Sequence, residues 1–488
     1  MNALPVAVVF GYLAVVLALG VVAGRRGSGG VTDFVAGERA FGPVVMYFVM
    51  GATIFSAYAL LGTPQRVVAR GSDALYILGY GAVGLAPIFL FGAKVRRIGA
   101  RLGFVTGAEL VGGRFDSRWV TGLMGGATLV AFLPYLVIQL KAAGVVMQAV
   151  TGWPPLLGAF VVYAVVSVYV VIGGVRGVGW TNVLQGVAML LVVWGLGLWI
   201  PTKLYGGVGP MFDQVVARAP EWLTLPGPAN VGEAEYSSEI LVSILGFSMW
   251  PQVFMKCFTA KSARLVQLSA VLYPTFLFFL VPLLFIGYAG VLEGAPADDT
   301  VLLWMLHHPG LGDTSLIFAF VAFAVLAASM STGDALLHAG GSILVRDVVV
   351  RGLGRPMSDA AQTAAMRAVV VVLAGSALGL LSVAGHVSVV DLLLLAYAIP
   401  IQFLPLTLAA LYWRRANRVG AALGLTAGLV TVVLLFFAKI GAPSLYTALN
   451  PADLQIGALG VGVNVVVLIV GSRLGRPMTD DHLRNYEL

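Results

Sequence analysis

The chemistry in this chain concentrates in one stretch, Ala327-Ala328-Ser329-Met330-Ser331-Thr332-Gly333-Asp334-Ala335-Leu336-Leu337-His338. Two adjacent hydroxyls beside small residues offer hard oxygen ligands to a small cation. The plain alternative is that a Ser-Thr pair bonds back to carbonyls of its own helix. Asp334 resists a plain reading, because an acid within an apolar membrane segment is costly. It can pair with His338 four residues on, or line an exit path. Other chemistries lack their residues. The five histidines are scattered, and the one cysteine, Cys257, excludes an intrachain disulfide and a cysteine-based zinc site. No paired carboxylates suggest acid–base catalysis, so no enzyme is expected.

The elements that carry these residues follow from composition. Of 488 residues, 59% are hydrophobic and only 10% charged, against about 25% charged in a soluble domain. Mean hydropathy is +0.95. So few charges cannot cover a soluble surface, and lipid permits only helices or closed barrels. The apolar runs are about 20 residues long without alternation, which predicts helices. Thirteen spans are expected, over 4–23, 43–66, 75–95, 119–149, 155–174, 178–201, 237–258, 263–290, 315–345, 366–385, 388–412, 419–439 and 454–472. The first lacks a basic leader and is followed by Arg25 and Arg26, so it reads as a retained helix.

Loop charges test that count. Of the 29 Lys and Arg, 23 fall in one alternate set of loops. The other set holds Arg66, Arg70, Lys203, Arg218 and Lys439, and Lys141 alone lies within a span. Basic loops stay cytoplasmic. The expected placement is therefore multi-pass in the inner membrane, N-terminus outside and C-terminus cytoplasmic. The net charge of +7 reflects this topology, and no nucleic-acid partner is expected.

Two spans are interrupted. The second contains Gly51-Ala52-Thr53-Ile54-Phe55-Ser56-Ala57-Tyr58 and ends Gly62-Thr63-Pro64; the seventh contains Gly246-Phe247-Ser248-Met249-Trp250-Pro251-Gln252. Gly and Pro weaken a helix, and nearby polar residues can serve freed backbone groups. Each interrupted span opens a block of five. Five is odd, so the blocks run oppositely through the membrane, as in transporters built from inverted repeats. The expected organisation is 1–42, an extra helix and first cytoplasmic loop; 43–201, the first repeat; 202–236, an extracellular loop; 237–412, the second repeat; and 413–488, two further helices and a short tail.

These residues resemble the sodium:solute symporters, whose members carry proline, sugars, pantothenate and monocarboxylates. The likeness rests on Ser331 to Leu337 followed by Arg346-Asp347, on Gly173-Gly174-Val175-Arg176-Gly177-Val178-Gly179-Trp180-Thr181-Asn182-Val183-Leu184-Gln185, and on Pro405 with Trp413 to Gly420 and Gly424. It implies an all-α polytopic membrane protein of LeuT-like fold, 13 transmembrane helices in a 5+5 inverted repeat with discontinuous helices. It further implies a sodium site of Ser331 and Thr332 hydroxyls with the carbonyls of Ala52, Phe55 and Ala328. Two positions depart from the family pattern: Ile54 and Asn182 stand where aspartate is common. The site's ligands are neutral, so the first change leaves it intact. The second argues against an additional sodium, and one coupled ion per cycle is expected.

The solute reading uses Leu133 to Lys141, Met249 to Gln252 and Gly103 to Glu109, which look similar to the monocarboxylate-carrying branch. A lactate-, pyruvate-, acetate- or propionate-like acid can be held by helix-end amides, hydroxyls and amide side chains. Thr53, Ser56, Tyr58, Tyr135, Gln139, Trp250, Gln252 and Gln402 are the candidates, with Asp334 and Asn182 at the exit. Tyr135 and Trp250 also fit ordinary core aromatics. Lys141 can pair with Asp334 or snorkel, Lys256 is expected at the cytoplasmic interface, and Asp391 has a topological role. The expected partners are a small-molecule solute, a sodium ion and membrane lipid. No cofactor beyond the coupling ion and no obligate protein partner is expected. The rivals are a sodium- or proton-coupled amino-acid symporter and, in another class, a membrane sensor module, for which the tail looks too short.

Overall fold

The computed structural model describes residues 3–25, 27, 29–384 and 396–487. Every described secondary-structure element is helical, and the one isolated β-bridge joins Phe41 to Ala260. Helix starts follow local chemistry. Ser117, Ser262 and Asn417 each accept a backbone N–H in the first turn of Arg118–Thr151, Ala263–Leu277 and Arg418–Gly441. Thr106 caps Gly107–Arg114 by accepting from Glu109 N, while the Glu109 carboxylate accepts from Val105 N at 2.8 Å.

Among the described residues nine helices are long and apolar enough to cross a membrane, or ten if one bent pair counts as a span. The thirteen expected spans do not map onto these one for one, for geometric reasons. Pro155–Tyr205 runs 51 residues, roughly 76 Å at the helical rise, more than twice the ~30 Å hydrocarbon core. It is broken at Gly174, whose φ of 50° and ψ of −150° no other residue adopts cheaply. This break lies where the fifth and sixth spans were expected to meet. Tyr58–Leu102, at 45 residues, likewise exceeds one bilayer, whereas Pro43–Ala52 and Pro400–Tyr412 fall short of one. The expected span 388–412 and Asp391 lie partly or wholly outside the described residues.

Both expected interruptions are present. Helix Pro43–Ala52 stops, residues 53–56 are non-helical, and the chain resumes through a π-turn, Tyr58–Gly62, into Thr63–Arg70. Helix Glu233–Phe247 bends by 41° into Pro251–Thr259. Pro251 has no N–H to continue the ladder, and Trp250 before it is extended at ψ 119°. Helix Ser315–Ile343 carries the hydroxyl pair and is buried continuously from Ala324 through Ile343.

Candidate functional site

The first break rewires its own hydrogen bonds. In an unbroken helix Ser56 N–H and Ala57 N–H would serve the carbonyls of Ala52 and Thr53. Instead Ser56 N–H donates to Ile54 O at 2.9 Å, and Ala57 N–H to Gln139 Oε1 at 3.1 Å. Ala59 N–H, the regular partner of Phe55 O, turns to Ser56 O at 2.9 Å. Two of these three freed carbonyls, those of Ala52 and Thr53, are met from Ser315–Ile343. Ser331 Oγ donates to Ala52 O at 2.9 Å and to Ala328 O at 3.1 Å, and Thr332 Oγ1 donates to Thr53 O at 3.0 Å. Ala52, Thr53, Ala328, Ser331 and Thr332 are all 0% exposed. The hydroxyl pair thus serves another helix as well as its own, contrary to the plain alternative.

Thr53 extends this cluster. Its hydroxyl donates to Asn182 Oδ1 at 3.2 Å, and Asn182 Nδ2 donates to both Asp334 oxygens at 3.3 Å. Asp334 also accepts from Tyr169 OH at 2.7 Å and Thr181 Oγ1 at 3.2 Å. Three neutral groups therefore hold a fully buried carboxylate. The expected partners of Asp334 are engaged elsewhere: His338 Nε2 meets Phe34 O at 2.8 Å, and Lys141 Nζ pairs with Asp299 at 2.6 Å. The reason is direction. Residues four apart share a helix face, but His338 faces the short helix Val31–Ala36 whereas Asp334 faces Pro155–Tyr205. Lys256, expected at the interface, is buried at 3% exposure.

The solute candidates divide. Gln139 links the break to Tyr135, donating from Nε2 to Tyr135 O at 3.1 Å, and Ser56 Oγ accepts from Tyr58 N–H at 3.2 Å. Tyr135 and Trp250 lie with ring centroids 4.9 Å apart, joining the fourth span to the second break. The indole N–H of Trp250 and Oε1 of Gln252 are buried without a hydrogen-bond partner among the described residues. Tyr58 points away, its hydroxyl on that of Tyr76. Gln402 is not brought to this group. Its Nε2 donates to Ala398 O and Gly457 O, and Asn464 donates to its carbonyl, so it braces the helix Ile456–Leu474.

Residues that the sequence did not assign to the site complete the surroundings. Arg66 is held by Asp73 at 2.7 Å and Glu239 at 2.6 Å and lies 4.0 Å above the Tyr76 ring. Arg70 pairs with Asp73 and Glu235, both at 2.9 Å. This network ties the second half of one broken helix to the first half of the other. At the opposite end, buried Glu109 receives Arg346 at 2.6 Å and Arg351 at 3.1 Å, and Asp347 accepts from Thr106 Oγ1 at 2.6 Å. A small cavity of about 20 Å³ lies beside that end, under Met249 and Pro251 and against Thr106 and Asp347. The only signal available for Arg66 and Glu239 was a charge close to an apolar run.

Comparison with known proteins now places this geometry. Residues 34–428 match the Sodium:solute symporter family. An uncharacterised symporter of Bacillus subtilis (strain 168) is 26% identical, over 96% of each chain. A monocarboxylate transport permease protein of Rhizobium johnstonii is 24% identical over 97% of each. Other relatives are named as carriers of proline and pantothenate. Among solved structures, a substrate-bound, outward-open Na+-coupled sialic acid symporter superposes with a TM-score of 0.80 at 18% identity, covering 98% of this chain and 99% of that one. That likeness shows a shared LeuT-like fold. These relatives are transporters embedded in membranes, and this chain belongs to the sodium:solute symporter family.

Proposed function

We propose that the protein imports a small monocarboxylate together with one sodium ion by alternating access across the inner membrane. One observation carries the ion assignment: two carbonyls freed at the first break lie 2.9–3.0 Å from the hydroxyls of Ser331 and Thr332. Carbonyl and hydroxyl oxygens are hard, neutral ligands suited to a small monovalent cation. In this reading Ala52, Phe55 and Ala328 give carbonyls and Ser331 and Thr332 give hydroxyls. Each hydroxyl keeps lone pairs with which to face the ion. Binding there would fasten Ser315–Ile343 to the first break, and that differential contact is what a ligand needs to shift a conformational equilibrium.

The solute would sit between the two breaks, against Thr53, Ser56, Gln139, Tyr135, Trp250 and Gln252, with Asn182 and Asp334 beside the ion. The N-terminus would lie outside and the C-terminus in the cytoplasm, with the repeats at 43–201 and 237–412. The Arg66 network would then close the outer end and the Glu109 cluster the inner end.

Uptake of labelled lactate into proteoliposomes tests this. An inward sodium gradient is expected to drive accumulation with a Hill coefficient near one for sodium. Uptake that proceeds equally without sodium, under a pH gradient alone, would sink the ion assignment. Displacement of lactate by unlabelled proline or alanine would favour the amino-acid reading instead.

A further inference from the structure

Away from the broken helices, the basic end of the molecule holds a second cavity, of about 210 Å³. Lys94, Arg114 and Arg414 line it, together with Tyr412, Tyr486 and Glu487. Arg114 is buried at 3% exposure. Its Nη2 reaches the carbonyls of Trp413 and Arg414 only at 3.4 and 3.5 Å, and its Nη1 has no hydrogen-bond partner among the described residues. Lys94 Nζ has three N–H donors, of which the Leu411 carbonyl takes one, and it lies 5.0 Å above the Tyr412 ring. Buried donors are almost always satisfied, so an unmatched guanidinium N–H on a cavity wall calls for an acceptor.

Counter-charge is scarce there. Glu487 supplies the one carboxylate among the described lining residues, and it bonds Arg414. Asp480 is taken by Arg414 as well, at 2.9 Å, and Asp116 pairs with Arg418. Arg97 adds positive charge beside Lys94. Three cations on the wall therefore share one carboxylate. Both partners of the Arg414–Glu487 pair are exposed, and a pair of that kind contributes little stability. A stronger anion can displace it.

Position points to the source of that anion. One turn before Lys94, Leu90 is 72% exposed, and one turn before Tyr412, Leu408 is 42% exposed. Tyr412 OH donates to Leu90 O at 3.4 Å, so the two apolar faces stand side by side. On a membrane helix such faces meet acyl chains. The cavity begins where they end, among Lys and Arg, at the depth where aromatic and basic residues meet headgroups.

We propose that this cavity binds the phosphodiester of an anionic glycerophospholipid, with Arg114 and Lys94 donating to its oxygens and the Glu487 carboxylate competing for the same place. Arg414 adds positive charge, and the acyl chains run along Leu90 and Leu408. A free phosphate ion offers the same acceptor oxygens without the chains. Phosphatidylcholine offers the chains but brings a cation of its own to a basic wall.

The full chain in detergent micelles is titrated with phosphatidylglycerol, phosphatidylcholine or inorganic phosphate, and bound molecules are counted by native mass spectrometry. Phosphatidylglycerol fills a saturable site that the other two, at equal concentration, leave empty. Arg114→Gln weakens phosphatidylglycerol binding about fivefold, the scale of one basic residue at an anionic headgroup. Glu487→Gln strengthens it severalfold, a gain that damage to the fold does not produce. Lys439→Gln, in the opposite set of loops, leaves it unchanged. Equal filling by phosphatidylcholine, or an equal loss in Lys439→Gln, overturns the site as a specific one. Inorganic phosphate binding as tightly as phosphatidylglycerol overturns the lipid as its source. Parent-like binding in both Arg114→Gln and Glu487→Gln overturns the assignment to this cavity.

Discussion

At residue scale the hydroxyl pair has two duties, and substitutions separate them. Thr332→Val keeps the shape and removes the oxygen, leaving Thr53 O without the donor now at 3.0 Å. Half-saturating sodium for uptake is expected to rise about tenfold, which corresponds to ~1.4 kcal/mol, whereas Thr332→Ser stays near the parent. A loss in the serine variant with the valine variant near the parent would show that the methyl, not the oxygen, matters. Asp334 makes a different case. Its oxygens accept from Tyr169, Thr181 and Asn182, and Asp334→Asn turns an N–H toward those donors. A loss of about 1–3 kcal/mol of stability is expected from the unsatisfied groups, read as a lowered Tm in detergent; an unchanged Tm would count against the network. Ser331, Thr332 and Asp334 were legible because their types are unusual in an apolar run. Of the partners of Asp334, Asn182 was named beside it, but Tyr169 and Thr181 were not assigned to it, because they are unremarkable on their own helix and reach it only through packing.

At element scale the positions of both breaks could be read from Gly51, Thr53, Ser56 and Pro251, because missing N–H groups and small polar residues are local signals. The number of separate helices could not. Gly174 reads as a boundary between spans, yet Pro155–Tyr205 runs through it as one helix with a single local break. What fastens the broken helices to each other was equally hidden: Arg66 and Glu239 are 173 positions apart and meet at 2.6 Å. Burying an ion pair costs desolvation, so removing one partner strands the other, at roughly 3–5 kcal/mol. Arg66→Met and Glu239→Gln should each lower the unfolding temperature, and the double variant should lose less than the sum. Additive losses would mean that the two do not act as a pair. Gly174→Ala is expected to destabilise for a backbone reason, since φ 50° is unfavourable for alanine and Phe34 O lies 3.0 Å from the added carbon.

At the scale of the whole molecule, what matters is the charge carried per cycle. One sodium with one monoanion moves no net charge through the membrane field. One sodium with a zwitterion moves one positive charge, worth about 2.3 kcal/mol per 100 mV, roughly a fiftyfold difference in accumulation. Buried charges such as Asp334 and Lys256 move with the protein and return with it, so their contributions cancel over a complete cycle. Proteoliposomes with a fixed sodium gradient and an imposed potassium diffusion potential, negative inside, separate the two cases. The steady-state accumulation of lactate is expected to be the same with and without the potential. A several-fold increase on imposing it would mean a second cation accompanies each anion, and the argument that Asn182 in place of an acid removes a second ion would fail. That argument depends on a single amide held between Thr53 and Asp334, so Asn182→Asp gives the converse measurement. The variant places a second carboxylate beside Asp334, and like charges this close in a buried site favour uptake of a cation. If the acid recruits a second sodium, accumulation in the variant becomes voltage-dependent and its Hill coefficient for sodium rises above one.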